Sequence, residues 1–304
     1  MSGRAGGPAF VVIGDVMTDV AVHSTRDLTR DLARGSDTAA DIVIGGGGAG
    51  GNVAAWLGHL GADVGLVAAV GDDAAGRLAI EMLERHGVRV HAVRSRSRAT
   101  GTVVAIGDGG GERTMLTDRG ANSGLSVQDL PRDWFRAGAH LHLSGYTLFA
   151  EPARAAGRAA LRMAAACGMR VSVDPASWAP LHAIGPRRFL QWTAVAGMCL
   201  PNAAEARLLA GTSDVEDAAR RLGAHYGCAV VTAGADGALW SDGTQVLSVP
   251  APGAVDVASG VGAGDAFTAG YLAAANRGAD PAAALAGAAR AAAQVLRRPG
   301  ARPA

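Results

Sequence analysis

The run Gly260-Val261-Gly262-Ala263-Gly264-Asp265-Ala266-Phe267, followed by Gly270, puts small residues and one carboxylate at the start of a helical pattern. With Gly262, Ala263 and Gly264 offering no bulk, successive backbone N–H groups can converge on one point. There the unpaired donors and the helix dipole favour an anion. Asp265 is placed to take a proton from a hydroxyl aimed at that anion. An anion hole beside a carboxylate base describes phosphoryl or acyl transfer to an alcohol. A plainer role also fits, an aspartate that merely stabilises its helix N-terminus. A second run, 45–51, holds six glycines in seven residues and ends beside Asn52, whose amide can donate to and accept from hydroxyls. Glycines there allow backbone to approach a ligand closely. The run also matches G-x-G-x-x-G in two registers, with Asp63, Asp72 and Asp73 downstream, so an NAD(P)-dependent Rossmann dehydrogenase is a rival. So glycine-rich a stretch meets that pattern almost automatically.

Composition narrows the chemistry. None of the 304 residues is lysine, so all 28 basic residues are arginine. A Walker-A loop, Schiff-base catalysis and a eukaryotic-type protein kinase each need a lysine and are excluded. A net charge of +1 gives no basic footprint for nucleic acid. Cys167, Cys199 and Cys228 lack metal-ligand or C-x-x-C spacing and read as isolated thiols in a reducing compartment. The apolar stretch at 9–13 is too short for a signal core, and no segment reaches membrane-spanning length without charges. A soluble, cytoplasmic protein is expected.

The elements that must position these groups alternate. Short apolar or β-branched runs at 10–16, 64–70, 140–144, 170–174, 195–200 and 229–233 read as strands. Helical periods occupy 53–60, 74–86, 152–167, 203–210, 215–226, 263–276 and 281–296. Alternating strands and helices predict a mainly parallel sheet covered on both faces, a three-layer α/β/α fold. Two stretches break the rhythm, 19–44 and 100–116, the latter reading as a hairpin turning at 107–111. They predict a small β-sheet lid, formed by 19–46 and 97–118 and inserted in a single α/β domain spanning 8–300.

Gly262-Ala263-Gly264-Asp265 with Phe267 and Gly270 resembles the C-terminal signature of the ribokinase-like (PfkB) carbohydrate kinases. Other pieces follow in that family's order: Gly14-Asp15 with Asp19, Gly47-Gly48-Ala49-Gly50-Gly51-Asn52, Gly71-Asp72-Asp73, Gly111-Glu112-Arg113-Thr114 and Gly120-Ala121-Asn122. Asp174-Pro175, Asn202 with Glu205, and Thr232 with Gly234 and Gly237 complete the set. Each alone is weak; the ordered combination is specific. The resemblance implies an ATP- and Mg²⁺-dependent kinase acting on a hydroxymethyl group of a sugar or sugar-like molecule. It implies that Asp19, Gly47, Gly48, Asn52 and Arg113 meet the sugar and that Asp265 is the base. Gly262, Ala263 and Gly264 would hold the transferring phosphoryl group, and Thr232, Gly234 and Gly237 would approach the nucleotide. Asn202 and Glu205 would position Mg²⁺ through water, although an acidic first turn of an exposed helix explains them too. A homodimer joined through the lid is implied as well.

The activating monovalent cation (K⁺) of that family is left open, because Ser259-Gly260-Val261 departs from its pattern and Asp256 lies further upstream. Met17 and Ala49 stand where ribokinases proper carry polar residues, which argues against ribose. A nucleoside kinase of the same family remains an alternative, although it would need an apolar or aromatic base pocket and only 4% of the chain is aromatic. Arg94, Arg96 and Arg98 read as a solvated face, and His140 and His142 as structural.

Overall fold

Strands without a polar residue must be covered on both sides, and two such strands sit beside each other just inside one edge of the main sheet. β1 (Phe10–Ile13) and, after β2 (Met17–His23), β3 (Asp41–Gly47) and helix α1 (Ala49–His59), β4 (Val64–Gly71) define this part of the chain; β1 and β4 are buried at every position. The computed structural model describes residues 7–23, 33, 35–107, 113–251, 261–297 and 300–304. Helix α2 (Ala74–Arg85), β5 (Arg89–Ser95), β6 (Gly101–Gly107), β7 (Arg113–Asp118), β8 (His140–Ser144), α3 (Ala153–Ala166) and β9 (Arg170–Asp174) follow. Then come α4 (Trp178–Ile184), α5 (Pro186–Thr193), β10 (Met198–Cys199), α6 (Ala203–Ala210) and α7 (Val215–Tyr226). β11 (Ala229–Thr232), β12 (Ala238–Ser241), β13 (Val246–Val249), α8 (Ala263–Asn276) and α9 (Pro281–Leu296) complete the order.

The main sheet has the order β13-β12-β11-β10-β9-β8-β1-β4-β5, parallel except for the antiparallel β12 and β13 at one edge. Alternation along β1 splits the core in two. Val11 and Ile13 pack with residues of α3, α5, α6 and α7, whereas Phe10 and Val12 pack with α1, α2, α8 and α9. This is the expected three-layer α/β/α fold. The bounds anticipated for α6, α7, α8 and α9 agree with those found.

Differences have local causes. The strand expected over 10–16 stops at Ile13, because Gly14-Asp15-Val16 carries the chain out of the main sheet and into β2. The strand expected over 195–200 shrinks to Met198–Cys199. Helix α1 begins at Ala49 rather than 53, with Gly51 N–H donating to the Asp15 carbonyl at 2.9 Å, and Gly45–Gly47 belong to β3 rather than to a loop.

A separate four-stranded sheet has the order β3-β2-β6-β7, with β2 and β6 parallel and both outer pairs antiparallel. Asn122 ties its connections together. Its Oδ1 accepts from Val16 N–H at 3.0 Å, while its Nδ2 donates to the carbonyls of Val16 at 2.9 Å and Arg119 at 3.1 Å. Most of the turn at 107–111 lies outside the described residues, as does the Gly111-Glu112 part of the motif. Among the described residues no helix is long and apolar enough to cross a membrane.

Candidate active site

Parallel strands deliver their carboxyl ends to one edge, where open α/β sheets bind ligands. At that edge β1 leads into Asp15, β8 into Tyr146, β9 ends in Asp174, β10 leads into Asn202, and β11 ends in Thr232. Two clefts adjoin there. One lies between the small sheet and the main sheet, with Asp15, Asp19, Asn52, Arg119 and Tyr146 as its polar wall and Met17, Ala21, Val103, Ala105 and Met115 as its apolar wall. The other is lined by Asp174, Asn202, Glu205, Thr232, Gly264 and Thr268. Asp265 and Ala176 line both.

Asp265 lies in the first turn of α8, which starts from Gly262 at φ +83°. Its Oδ2 accepts from Asn52 Nδ2 at 2.8 Å, a partner far away in sequence that helix capping alone would not call for. Burial pushes the Asp265 carboxyl well above the usual range; the Asn52 bond opposes this, and the carboxylates of Asp174, Asp15 and Asp19 add to it. Asp19 is pushed up to about 6 by burial, against the pull of the Arg302 guanidinium, with Asp15 adding to the rise. One oxygen of Asp15, Oδ1, is buried without a hydrogen-bond partner among the described residues. A buried acceptor left unpaired is costly in a finished interior and useful where a ligand hydroxyl arrives.

Asn202 and Glu205 form a reciprocal capping box at the start of α6. Glu205 N–H donates to Asn202 Oδ1 at 3.0 Å, Asn202 N–H donates to Glu205 Oε2 at 3.0 Å, and Asn202 Nδ2 donates to Glu205 Oε1 at 2.7 Å. The helix-start reading is therefore correct as far as it goes. It does not explain why Glu205 is buried close enough to Asp174 for the two to interact: burial raises both carboxyls, and the Asp174 charge raises Glu205 further. Two carboxylates sharing a water-poor site suit a cation between them and incoming phosphates. Among the described residues no three His, Cys, Asp or Glu side chains converge as a closed metal cage.

The family model for pfkB family carbohydrate kinases matches residues 9–304. The chain belongs to that family. Relatives include an aminoimidazole riboside kinase of Salmonella typhimurium, 34% identical over 74% of this chain and 72% of its own, and a fructokinase of Klebsiella pneumoniae, 36% identical over 75% and 76%. The solved aminoimidazole riboside kinase of Salmonella enterica, complexed with aminoimidazole riboside and an ATP analogue, superposes with a TM-score of 0.77 at 29% identity, covering 96% of this chain and 94% of that one. The protein is an ATP-using carbohydrate kinase, a phosphotransferase with an alcohol group as acceptor.

In this kinase the residues singled out from sequence do not all gather. Asp19, Gly48, Asn52 and Asp265 meet at the first cleft, and Asn202, Glu205, Thr232, Gly264 and Asp265 at the second. Gly47 lies against the Asp19 carboxylate, leaving no room for a Cβ. Gly262 and Ala263 flank the site as the start of α8. Gly234 and Gly237 belong to the β11–β12 turn beyond Thr232 and line neither cleft. Gly237 has a structural reason of its own: at φ +91°, an added Cβ would come 2.0 Å from the Val249 carbonyl oxygen in the β12–β13 hairpin. The side chain of Arg113, and with it Asp256 and Ser259-Gly260, lies outside the described residues. Nearby, Arg119 stacks its guanidinium 4.6 Å from the centroid of the Tyr146 ring and reaches the first cleft.

His140 and His142 are structural as expected. Both bond the Ser172 hydroxyl, at 2.8 and 2.9 Å, and burial lowers them to about 3 and about 4, so they stay neutral. Arg94, Arg96 and Arg98 are exposed. Sequence reasoning missed Tyr146 and Arg302. Tyr146 follows a buried core strand, where a ligand contact could have been suspected; Arg302 carries no local signal.

Proposed function

We propose that the kinase transfers the γ-phosphoryl group of ATP to a hydroxymethyl group of a sugar or sugar-like molecule held in the first cleft. The observation that carries this reading is that Asp265 lines both clefts. A base there meets the acceptor hydroxyl on one side and the phosphoryl group on the other. Asp265 takes the hydroxyl proton as the new O–P bond forms and ADP leaves, while backbone N–H groups of Gly262–Gly264 face the phosphoryl oxygens. Asp19, Asp15 and Asn52 supply acceptors and a donor to the sugar hydroxyls, so a ligand lacking those hydroxyls leaves buried polar groups unpaired. Asn202 and Glu205 would hold Mg²⁺ through waters, with Asp174 beside them; bound Mg²⁺ supplies charge neutralisation at the phosphates. The small sheet serves as a lid whose closure excludes water. ATP use and three free cysteines support a cytoplasmic location.

A nucleoside or other riboside as acceptor has one specific observation in its favour. The wall of Met17, Ala21, Val103, Ala105 and Met115 is apolar and offers a flat base a surface that a hexose cannot use. ADP release from MgATP, screened across ribose, fructose, tagatose, 2-keto-3-deoxygluconate, aminoimidazole riboside and nucleosides, separates the two. Turnover confined to free sugars rejects the riboside reading, and turnover of ribosides alone rejects the free-sugar reading.

Two expected outcomes follow from the cleft and its lid. Ionised Asp19 accepts charge-assisted hydroxyl hydrogen bonds on both oxygens, and protonation turns one oxygen into a donor and weakens the other as an acceptor. KM for the acceptor is therefore expected to be flat above pH 7 and to rise roughly tenfold per pH unit below about 6, as measured in steady-state profiles, and a KM unchanged down to pH 5 contradicts it. On the small sheet, Ile42 and Ile44 of the edge strand β3 are 61% and 67% exposed, and Leu116 of the opposite edge strand β7 is 59% exposed. Sheet edges with bare aliphatic side chains suit a second copy of the same lid. Light scattering should give a dimer mass that Ile44→Asp converts to a monomer; a wild-type monomer at micromolar concentration rejects the homodimer.

A further inference from the structure

Residues 300 and 301 reach the first cleft. Trp56 Nε1 donates to the Ala301 carbonyl at 3.0 Å, and Gly300 and Ala301 line the first cleft. The next side chain, Arg302, turns away from the cleft. Its Nη2 donates to the Gly47 carbonyl at 2.8 Å and its Nε to Asn52 Oδ1 at 3.3 Å. Asn52 thus spends its carbonyl on Arg302 and its amide on Asp265. The Asn52 amide could otherwise flip, and a guanidinium bound to its oxygen fixes the NH2 end towards Asp265. Two glycines of the run at 45–51 make the room. A Cβ on Gly46 would fall 2.2 Å from Arg302 Nη1, and one on Gly51 would fall 2.6 Å from Nη2.

We propose that Arg302 is a positioning residue of the phosphotransfer site, locking Asn52 and through it Asp265 while supplying the positive charge that Asp19 and Asp265 face. It does not line either cleft, so it touches neither substrate. Stability alone is a poor account of it. Nη1 is shut off from solvent with no hydrogen-bond partner among the described residues, and an enclosed guanidinium with an unpaired N–H costs folding free energy. The enclosure lowers Arg302 itself to about 10, while Asp19 and Asp265 hold it charged; its charge in turn draws Asp19 down. The glycine-rich run therefore has a second use besides ligand approach, as the cradle of this side chain.

The inference rests on the roles given above to Asp265 and Asp19, and the test separates the two. Wild type is assayed first on the acceptor identified by ADP release; absence of turnover counts against the kinase reading and not against Arg302. Arg302→Met is then expected to lower kcat by roughly 10²-fold, the scale of a small misplacement of a catalytic group, and to move the acid limb of the acceptor KM profile to higher pH. Arg302→Lys keeps the charge without the planar fork. It should hold the acid limb near its wild-type position while leaving kcat at least roughly tenfold down. Arg302→Met with a wild-type kcat and an unmoved acid limb overturns the proposal. If Arg302→Met does not fold, the lysine variant decides: a low kcat with a wild-type acid limb supports the positioning role, and a wild-type kcat overturns it.

Discussion

Asp265→Asn is expected to lower kcat by roughly 10³-fold, within the range associated with loss of a general base, while KM for both substrates changes little. The amide keeps the shape of the carboxylate, and its oxygen can still accept from Asn52 Nδ2, which holds Asp265 Oδ2 at 2.8 Å in the wild type. What is lost is the capacity to take a proton. Residual turnover comes from alignment and from the anion site at the start of α8. The pH dependence sharpens the test. Because burial and three neighbouring carboxylates raise Asp265, wild-type kcat at saturating acceptor should fall on the acid side at a pH above the ordinary carboxylate range. That limb should disappear in the variant. Stability should move the other way, because a neutral amide removes a buried charge that Asp174, Asp15 and Asp19 repel. A thermal midpoint at or above wild type is therefore expected. Wild-type turnover in Asp265→Asn would sink the assignment.

Gly264→Val is expected to abolish most activity without unfolding the protein. Gly264 sits in the first turn of α8 with helical backbone, an added Cβ meets nothing within 4 Å, and the residue lines the second cleft. The open space that makes the substitution harmless to packing is the space assigned to the phosphoryl group. Replacing glycine inside a helix gains rather than loses stability, by an amount of order 0.5 kcal/mol. A side chain that keeps phosphate from the backbone donors should cost roughly 10²–10³-fold in kcat, the scale of a lost anion-hole donor. Gly262 is the contrast. At φ +83°, with a built Cβ only 2.4 Å from Ala301 Cβ, any side chain there strains the backbone and displaces the C-terminal segment. A folded Gly264→Val with wild-type kcat would show that the phosphoryl group binds elsewhere.

Much of this was readable from the sequence, and the reasons for success and failure differ by residue. The helices α6 to α9 are bounded by strong local signals, Asn202 and Asp280 as caps and Gly211 and Gly227 as left-handed stops, so their limits could be read directly. Asp265 and Asn52 were visible because glycine runs announce close approach. Gly234 and Gly237 were visible for the same reason, and both take the positive φ that the β11–β12 turn needs as much as a ligand does. Arg302 was invisible. Its role depends on contacts with residues some 250 positions earlier, and nothing in a terminal Arg-Pro-Ala points to them. The extent of the strand after Phe10 was misjudged for a related reason: whether Gly14-Asp15-Val16 stays in one sheet or crosses to another is decided by tertiary pairing.

The Asn122 clasp has a mechanical consequence. The chain passes between the small sheet and the main body four times, at 14–16, at 48, at 96–100 and past Arg119, and a single amide staples the first of these crossings to the last. With the connections at 48 and 96–100 beside it, this staple holds the inner end of the small sheet, and that end is the pivot for any displacement of the outer strand ends. Met17 and Asp19 follow directly on the pivot, whereas Ile44 and Met115 lie farther out along their strands. A few degrees of swing would therefore open the mouth of the cleft while barely disturbing the carboxylate at its base. An opening of that kind would admit and release the acceptor without dismantling the site proposed to recognise it.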